Sequence, residues 1–167
     1  MTHLIRRITE ADWPGVVALE AEAYAGTALT EGEAALRSRA TPGTCLVLDL
    51  DGRIAGYALA LPYPRFRYPD LTRPEQTPHC STNLHLHDLV VSAPLRRRGL
   101  GSRMARHLTD VARTRGFRTM SLIAVAGKEH FWRANGYRAH PEARLPAAYG
   151  PGAVYMSARL AAVRKAS

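Results

Sequence analysis

The stretch Leu89-Val90-Val91-Ser92-Ala93-Pro94-Leu95-Arg96-Arg97-Arg98-Gly99-Leu100-Gly101-Ser102 decides how this chain is read. An apolar β-branched run passes through a proline and three arginines into a pair of glycines. Beyond it, Met104, Ala105, Leu108, Val111 and Ala112 form one stripe at helical spacing. A strand, a tight turn and a helix N-terminus therefore follow one another. Such a junction is an anion site, because first-turn N–H groups lack intrahelical partners and the helix dipole favours negative charge. Gly99 and Gly101 let phosphate oxygens approach the backbone, Ser102 adds a hydroxyl donor, and Arg96, Arg97 and Arg98 add fixed positive charge. This chemistry suits a pyrophosphate. A Walker loop is excluded, since no lysine follows the glycines. A dinucleotide fingerprint is excluded as well, because Met104 stands where its third glycine belongs.

Near the N-terminus, Leu4 to Ile8 reads as a strand. Asp12 can cap a helix from Trp13 to about Tyr24, with Pro14 tolerated in its first turn. Thr30 and Glu33 have capping-box spacing, so a second helix is expected from Glu31 to Arg39. Asp51-Gly52 sits between two apolar runs, Cys45 to Leu50 and Ile54 to Leu59, and signals a hairpin. Pro62 to Pro78 is rich in prolines and aromatic residues and reads as a long exposed loop. Loops of that length inside a compact domain often form lids or substrate walls. Asn83 to Val91 is the strand before the turn. After the helix from Ser102 to Arg115 come a strand from Phe117 to Val125, a short helix from Lys128 to Asn135, and strands near Tyr137 to Ala139 and Ala153 to Leu160. The order β-α-α-β-β-β-α-β-α-β-β argues an α/β (α+β) fold with a mixed sheet.

Length and composition agree with one soluble domain over residues 1–167, with 46% apolar and 22% charged residues. No apolar run approaches the ~20 residues that cross a bilayer, so no membrane partner is expected. Two cysteines, Cys45 and Cys80, make neither a disulfide framework nor a metal cluster. A cytoplasmic enzyme without a metal is the expectation. The formal charge of +9 is carried almost wholly by arginine, with Lys128 and Lys165 the only lysines. That balance suits a polyanion, either nucleic acid or a phosphorylated cofactor. No recognition-helix or RNA-binding motif is apparent, which ranks nucleic acid last.

Leu89-Val90-Val91 with Arg96-x-x-Gly99-x-Gly101 resembles the Arg/Gln-x-x-Gly-x-Gly/Ala signature of the GNAT superfamily of N-acetyltransferases. Downstream, Phe131-Trp132-Arg133-Ala134-Asn135-Gly136-Tyr137 is similar to that superfamily's Leu/Phe-Tyr-x-x-x-Gly-Phe segment, and the element order agrees with its mostly antiparallel fold of about four helices. The resemblance implies acetyl-CoA as co-substrate and a small-molecule amine as acceptor. It implies that the backbone of Leu89, Val90 and Val91 pairs with the pantetheine arm, and that the turn from Arg96 through Arg97, Arg98, Gly99, Leu100 and Gly101 to Ser102 holds the pyrophosphate. Phe131 and Trp132 would flank the acetyl end. Homodimers are common in the superfamily, although no interface is legible in this chain. Two departures stand out. Lys128 follows Val125-Ala126-Gly127 where many relatives carry an asparagine. Trp132 replaces the tyrosine that commonly protonates the departing thiolate, leaving water, Tyr137, Tyr149 or Tyr155 for that role.

The reaction also needs a base. An alkyl ammonium with pKa near ~10 loses its proton at pH 7 at a cost of about 4 kcal/mol. His85 and His87, two apart on a strand, share one face of the sheet, and imidazole near ~6.5 suits the task. The segment His85 to Val91 is similar to the histidine-bearing strand of arylalkylamine N-acetyltransferases, which implies a proton-accepting role for at least one of the pair. Asp88 points to the opposite face unless the strand bulges. In the long loop, Tyr63, Phe66, Tyr68, Asp70 and Glu75 suit a cationic amine. An acetyl-CoA sensor without catalysis is the second reading, and an arginine-rich nucleic-acid binder the third.

Overall fold

The structure is a computed structural model that describes residues 2–163. Its elements run β1 (His3–Arg7), α1 (Trp13–Ala23), α2 (Glu33–Ser38), β2 (Leu46–Leu50), β3 (Arg53–Pro62), β4 (Asn83–Val91), α3 (Leu100–Thr114), β5 (Thr119–Ala124), α4 (Glu129–Ala134), β6 (Arg138–His140) and β7 (Val154–Arg159), in the order expected from the sequence. The seven strands form one mixed sheet ordered β1-β2-β3-β4-β5-β7-β6. Every pairing is antiparallel except β4 with β5. The Asp51-Gly52 hairpin forms, with both residues at positive φ of 49° and 85°.

Apolar residues alternate between two layers. Leu46, Leu48, Ala58, Leu84, Leu86, Met120, Leu122 and Met156 face α3, through Met104, Ala105 and Leu108. Val47, Tyr57, Leu59 and Val90 face α1 and α2, through Trp13, Val16, Leu19 and Leu36. Helix α3 fits closely because Gly56 lies beneath it. A Cβ there would stand 2.8 Å from the Val90 carbonyl and 3.3 Å from Met104 Sδ.

Two helix starts differ from the expectation. Asp12 makes no side-chain cap for α1. It turns back to accept from the Thr9 N–H at 2.7 Å and from both Arg6 terminal nitrogens at 2.7 and 2.8 Å. A bidentate, charge-assisted pair outweighs a single neutral cap bond. Helix α2 begins at Glu33 rather than Glu31, behind Gly32 at φ 85°, and the Thr30 capping box does not form. Thr30 Oγ1 donates to the Tyr24 carbonyl, and the Glu31 amide donates to Glu20. These tertiary partners take Thr30 and Glu31 out of the helix.

Candidate active site

Strands β4 and β5 pair only from Asn83↔Thr119 to His85↔Ser121. Beyond His85 they separate, and Leu122 to Ala124 pair with β7 alone. The cause lies on the other edge of β4. Its register against β3 jumps from Ala60↔Leu86 to Leu59↔Asp88, so His87 is an extra, unpaired residue. A bulge bends the strand that carries it and re-aims its side chains. Leu86 and Leu89 both pack on the α3 layer, while the two residues between them turn the other way. Asp88 therefore lies on the α1 side, where it accepts from Tyr24 and Tyr57 hydroxyls at 2.5 Å each.

Past the bulge, the Ser92 N–H donates to Ala55 on β3 at 2.8 Å. The alternation of an antiparallel ladder then turns the polar groups of Val91 and Leu89 into the gap. Arg96 Nε reaches the Val91 carbonyl there at 3.0 Å. The turn that follows is shaped by two left-handed residues, Arg97 at φ 61° and Gly99 at φ 73°. The helical ladder opens with Arg103 N–H to Gly99 C=O. The amides of Leu100, Gly101 and Ser102 thus have no intrahelical partner. Arg96, Arg97 and Arg98 are exposed around them. Helix α3 starts two residues earlier than Ser102, the expected start, which places both Leu100 and Gly101 in its first turn.

Helix α4 closes over this turn. A Cβ on Gly101 would lie 3.3 Å from Phe131 Cζ, so the ring rests directly on that glycine. Asn135 Nδ2 donates to Ser102 Oγ at 3.3 Å and to the Phe131 carbonyl at 2.9 Å. Trp132 lies inward, buried in the α3 layer with edge contacts to Phe131 and Tyr137. Lys128 is exposed at the start of α4. Of the three tyrosines named as acid candidates, Tyr137 and Tyr149 donate their hydroxyls elsewhere. Tyr137 is buried with its hydroxyl on Met120 Sδ, and burial pushes its pKa well above the usual range. Tyr149 donates to the Pro69 carbonyl at 2.5 Å, and Tyr155 accepts the Phe66 N–H at 2.9 Å.

The two histidines share the α1 side yet have different surroundings. His85 is fully buried, its Nδ1 2.9 Å from Ser121 Oγ, and Ser121 also accepts from Asn83 Nδ2. Burial, helped by the charges of His87 and Arg39, pushes His85 down to about 3. It is neutral at physiological pH. His87 Nε2 binds Glu31 Oε2, and its Nδ1 is buried with no hydrogen-bond partner among the described residues. Burial works to raise the Glu31 carboxyl, but His87 and then Arg39 together hold it below its ordinary value. An ionised carboxylate only accepts, so the shared hydrogen belongs to Nε2. In the neutral ring, Nδ1 then carries the lone pair.

Sequence reading missed the residues that hold this arrangement. Glu20 Oε1 accepts the Glu31 N–H at 2.7 Å, while Glu20 Oε2 is buried without a partner among the described residues. Burial, reinforced by Asp88 and Glu31, raises the Glu20 carboxyl. Arg39 is wholly buried and binds Glu31. Nothing in its neighbourhood sets it apart from the other arginines, and Glu20 looks like one more helical glutamate. The acidic residues of the long loop are paired, and its exposed Arg65 lies 5.3 Å over the Phe66 ring. Asp70 accepts from Thr72 and Arg73, and Glu75 from Arg39. Phe66, at φ 60° and 45% exposed, packs against Tyr155 and His140 with ring centres 5.1 and 5.0 Å apart. Tyr155 pairs with Ile123 on the far side of the gap.

Among curated proteins, none matches the chain. Solved structures of the same fold are numerous. The ribosomal-protein-S18-alanine N-acetyltransferase of Escherichia coli superposes with a TM-score of 0.69 at 17% identity, over 98% of this chain and 97% of that one. PaiA N-acetyltransferase from Thermoplasma acidophilum, solved with coenzyme A, gives 0.68 at 12% identity, over 95% and 99%. N-acetylglutamate synthase from Neisseria gonorrhoeae, solved with coenzyme A and N-acetyl-glutamate, gives 0.71 at 19% identity. There the match covers 96% of this chain but only 36% of the larger one. The model of the acetyltransferase (GNAT) family matches residues 4–137, a span that includes the splayed strands, the arginine-glycine turn and the Phe131 helix. With that match over most of its length, the chain belongs to the GNAT family of acetyltransferases.

Proposed function

We propose that the chain transfers an acetyl group from acetyl-CoA to the primary amine of a small molecule, with His87 as the proton acceptor. The observation that carries this reading is the gap between β4 and β5, which opens beside a helix N-terminus with free amides. An extended pantetheine arm fits such a gap as an added strand, against the polar groups of Leu89 and Val91, those of Val90 being turned to β3. Coenzyme A in two of the similar structures supports the same occupant.

When bound, acetyl-CoA supplies an acyl thioester. The chain's own residues do the rest. The amides of Leu100, Gly101 and Ser102 face the pyrophosphate, under the positive charge of Arg97 and Arg98. Arg96, tied to the Val91 carbonyl, fixes the turn to the strand. Phe131 flanks the acetyl end from its seat on Gly101, and Trp132 braces Phe131 from the core. The acceptor enters over the α1 side of the gap, between His87 and the ring face of Phe66, Tyr155 and His140. His87 Nδ1 takes the ammonium proton, directly or through water, and Glu31 steadies the imidazolium that results. His85 stays neutral and, with Ser121, lines the cleft. The departing sulfur takes its proton from solvent.

A screen of amines, amino acids and peptide N-termini for acetyl-CoA-dependent thiol release tests the proposal. Release with at least one amine is expected; no release, together with no coenzyme A binding at millimolar concentration, would overturn it. One observation favours a sensor instead. Trp132 replaces the usual acid, and Tyr137 and Tyr149 donate their hydroxyls elsewhere. A sensor binds acetyl-CoA but shows no turnover that depends on His87.

A further inference from the structure

Arg39 follows α2 and has no exposed surface. Burying a guanidinium is costly unless its donors are met. Here Nε and Nη2 bind Glu31 Oε1 at 3.3 and 2.7 Å, and Nη1 binds Glu75 Oε1 at 2.8 Å. Nη2 also donates to the carbonyls of Asp70 and Arg73 at 2.8 and 3.0 Å. The acceptors belong to two segments far apart in sequence. Glu31 precedes α2, whereas Asp70, Arg73 and Glu75 lie in the loop between β3 and β4. Glu31 uses its second oxygen for His87. The Glu75 amide donates to Ser38 Oγ at 2.9 Å, and the Tyr63 hydroxyl reaches Glu75 at 3.3 Å.

We propose that Arg39 is a positioning residue that couples the loop between β3 and β4 to the proton-accepting imidazole: one guanidinium holds the loop and the carboxylate that orients His87. The fork geometry matters. An arginine offers five donors in one plane and can serve both segments at once, which a lysine ammonium does not reproduce. Order in the loop is then transmitted through Arg39 and Glu31 to the ring, and it sets which nitrogen of His87 carries the hydrogen. The inference rests on His87 being the proton acceptor, so its test must not depend on turnover.

Imidazole ¹⁵N NMR of the full chain reads the ring directly, with His87→Gln assigning the signals. In the native chain His87 is expected as a single Nε2–H form. Glu75→Gln leaves Arg39, Glu31 and His87 intact and alters only the loop end. It should nevertheless raise the Nδ1–H form of His87 to about a tenth of the population or more. Arg39→Gln should do so to a greater extent, and Arg39→Lys should not restore the native pattern. Acetyl-CoA affinity should stay within about threefold in each variant, as a check on the fold. If Glu75→Gln and any folded Arg39 variant keep the native His87 pattern, Arg39 is a staple of the loop alone and the proposal is overturned. If the Arg39 variants do not fold, Glu75→Gln decides. Failure of acetyl transfer in the native chain, with the His87 pattern moving as expected, would count against the proposed reaction and leave the coupling standing.

Discussion

A general base at neutral pH must be unprotonated, and its lone pair must be open to the substrate. His85 meets the first condition, with its Nδ1 committed to Ser121. Its protonation near 3 and its bond to Ser121 leave it neutral but engaged across the physiological range. In the proposed reaction His87 is the acceptor, because Glu31 holds Nε2 and the buried Nδ1 is left without a hydrogen-bond partner among the described residues. His87→Gln should therefore lower kcat/KM by about 10²-fold or more with acetyl-CoA affinity unchanged. His85→Gln, which can still bond Ser121, should stay within about tenfold. Steady-state kinetics on both variants checks this, and an equal loss in each would remove the distinction. Sequence could name the pair but not divide it. The bulge at His87 carries no glycine or proline to announce it, and the carboxylate that selects His87 lies 56 positions away.

At the scale of elements, the arginine-glycine turn depends on how α4 sits on α3. Gly101 is in the first helical turn, and its missing side chain is the surface on which Phe131 rests. Gly101→Val should displace that ring and crowd the amides, weakening acetyl-CoA binding at least about tenfold while the fold persists. Calorimetry with circular dichroism as control measures it; undiminished binding would place the cofactor elsewhere. Asp12 bears on a different junction, between β1 and α1. Its pairing with Arg6 depresses the carboxyl to about 2, with burial opposing. A depressed carboxylate adds stability above its unfolded pKa and loses it as pH falls, here between about 4 and 2. With allowance for solvent around the partly exposed Arg6, that contribution is about 1–2 kcal/mol. The stability difference between the native chain and Asp12→Asn should shrink towards zero over that interval, as urea unfolding at each pH would read. The turn and the Asp51-Gly52 hairpin were legible because glycine chemistry is local. The use made of Asp12 and Glu31 was not, because each answers to an arginine from another element.

At the scale of the molecule, the sheet positions the site by what it fails to pair. The order of elements can be read from periodicity and breakers, since each helix and strand carries its own pattern. The extent of pairing between β4 and β5 cannot, because it is set by a register jump against β3, while β7 holds only the opposite edge of β5. No helix among the described residues is long and apolar enough to cross a membrane. The formal charge of +9 includes three exposed arginines at the mouth of the gap, where a polyanionic cofactor would enter. The most direct test of the account is a calorimetric titration of the native chain with acetyl-CoA at about 0.1 M salt. Saturable one-to-one binding, weakened by added salt and by Gly101→Val, is the predicted result; no heat of binding up to millimolar acetyl-CoA would contradict it.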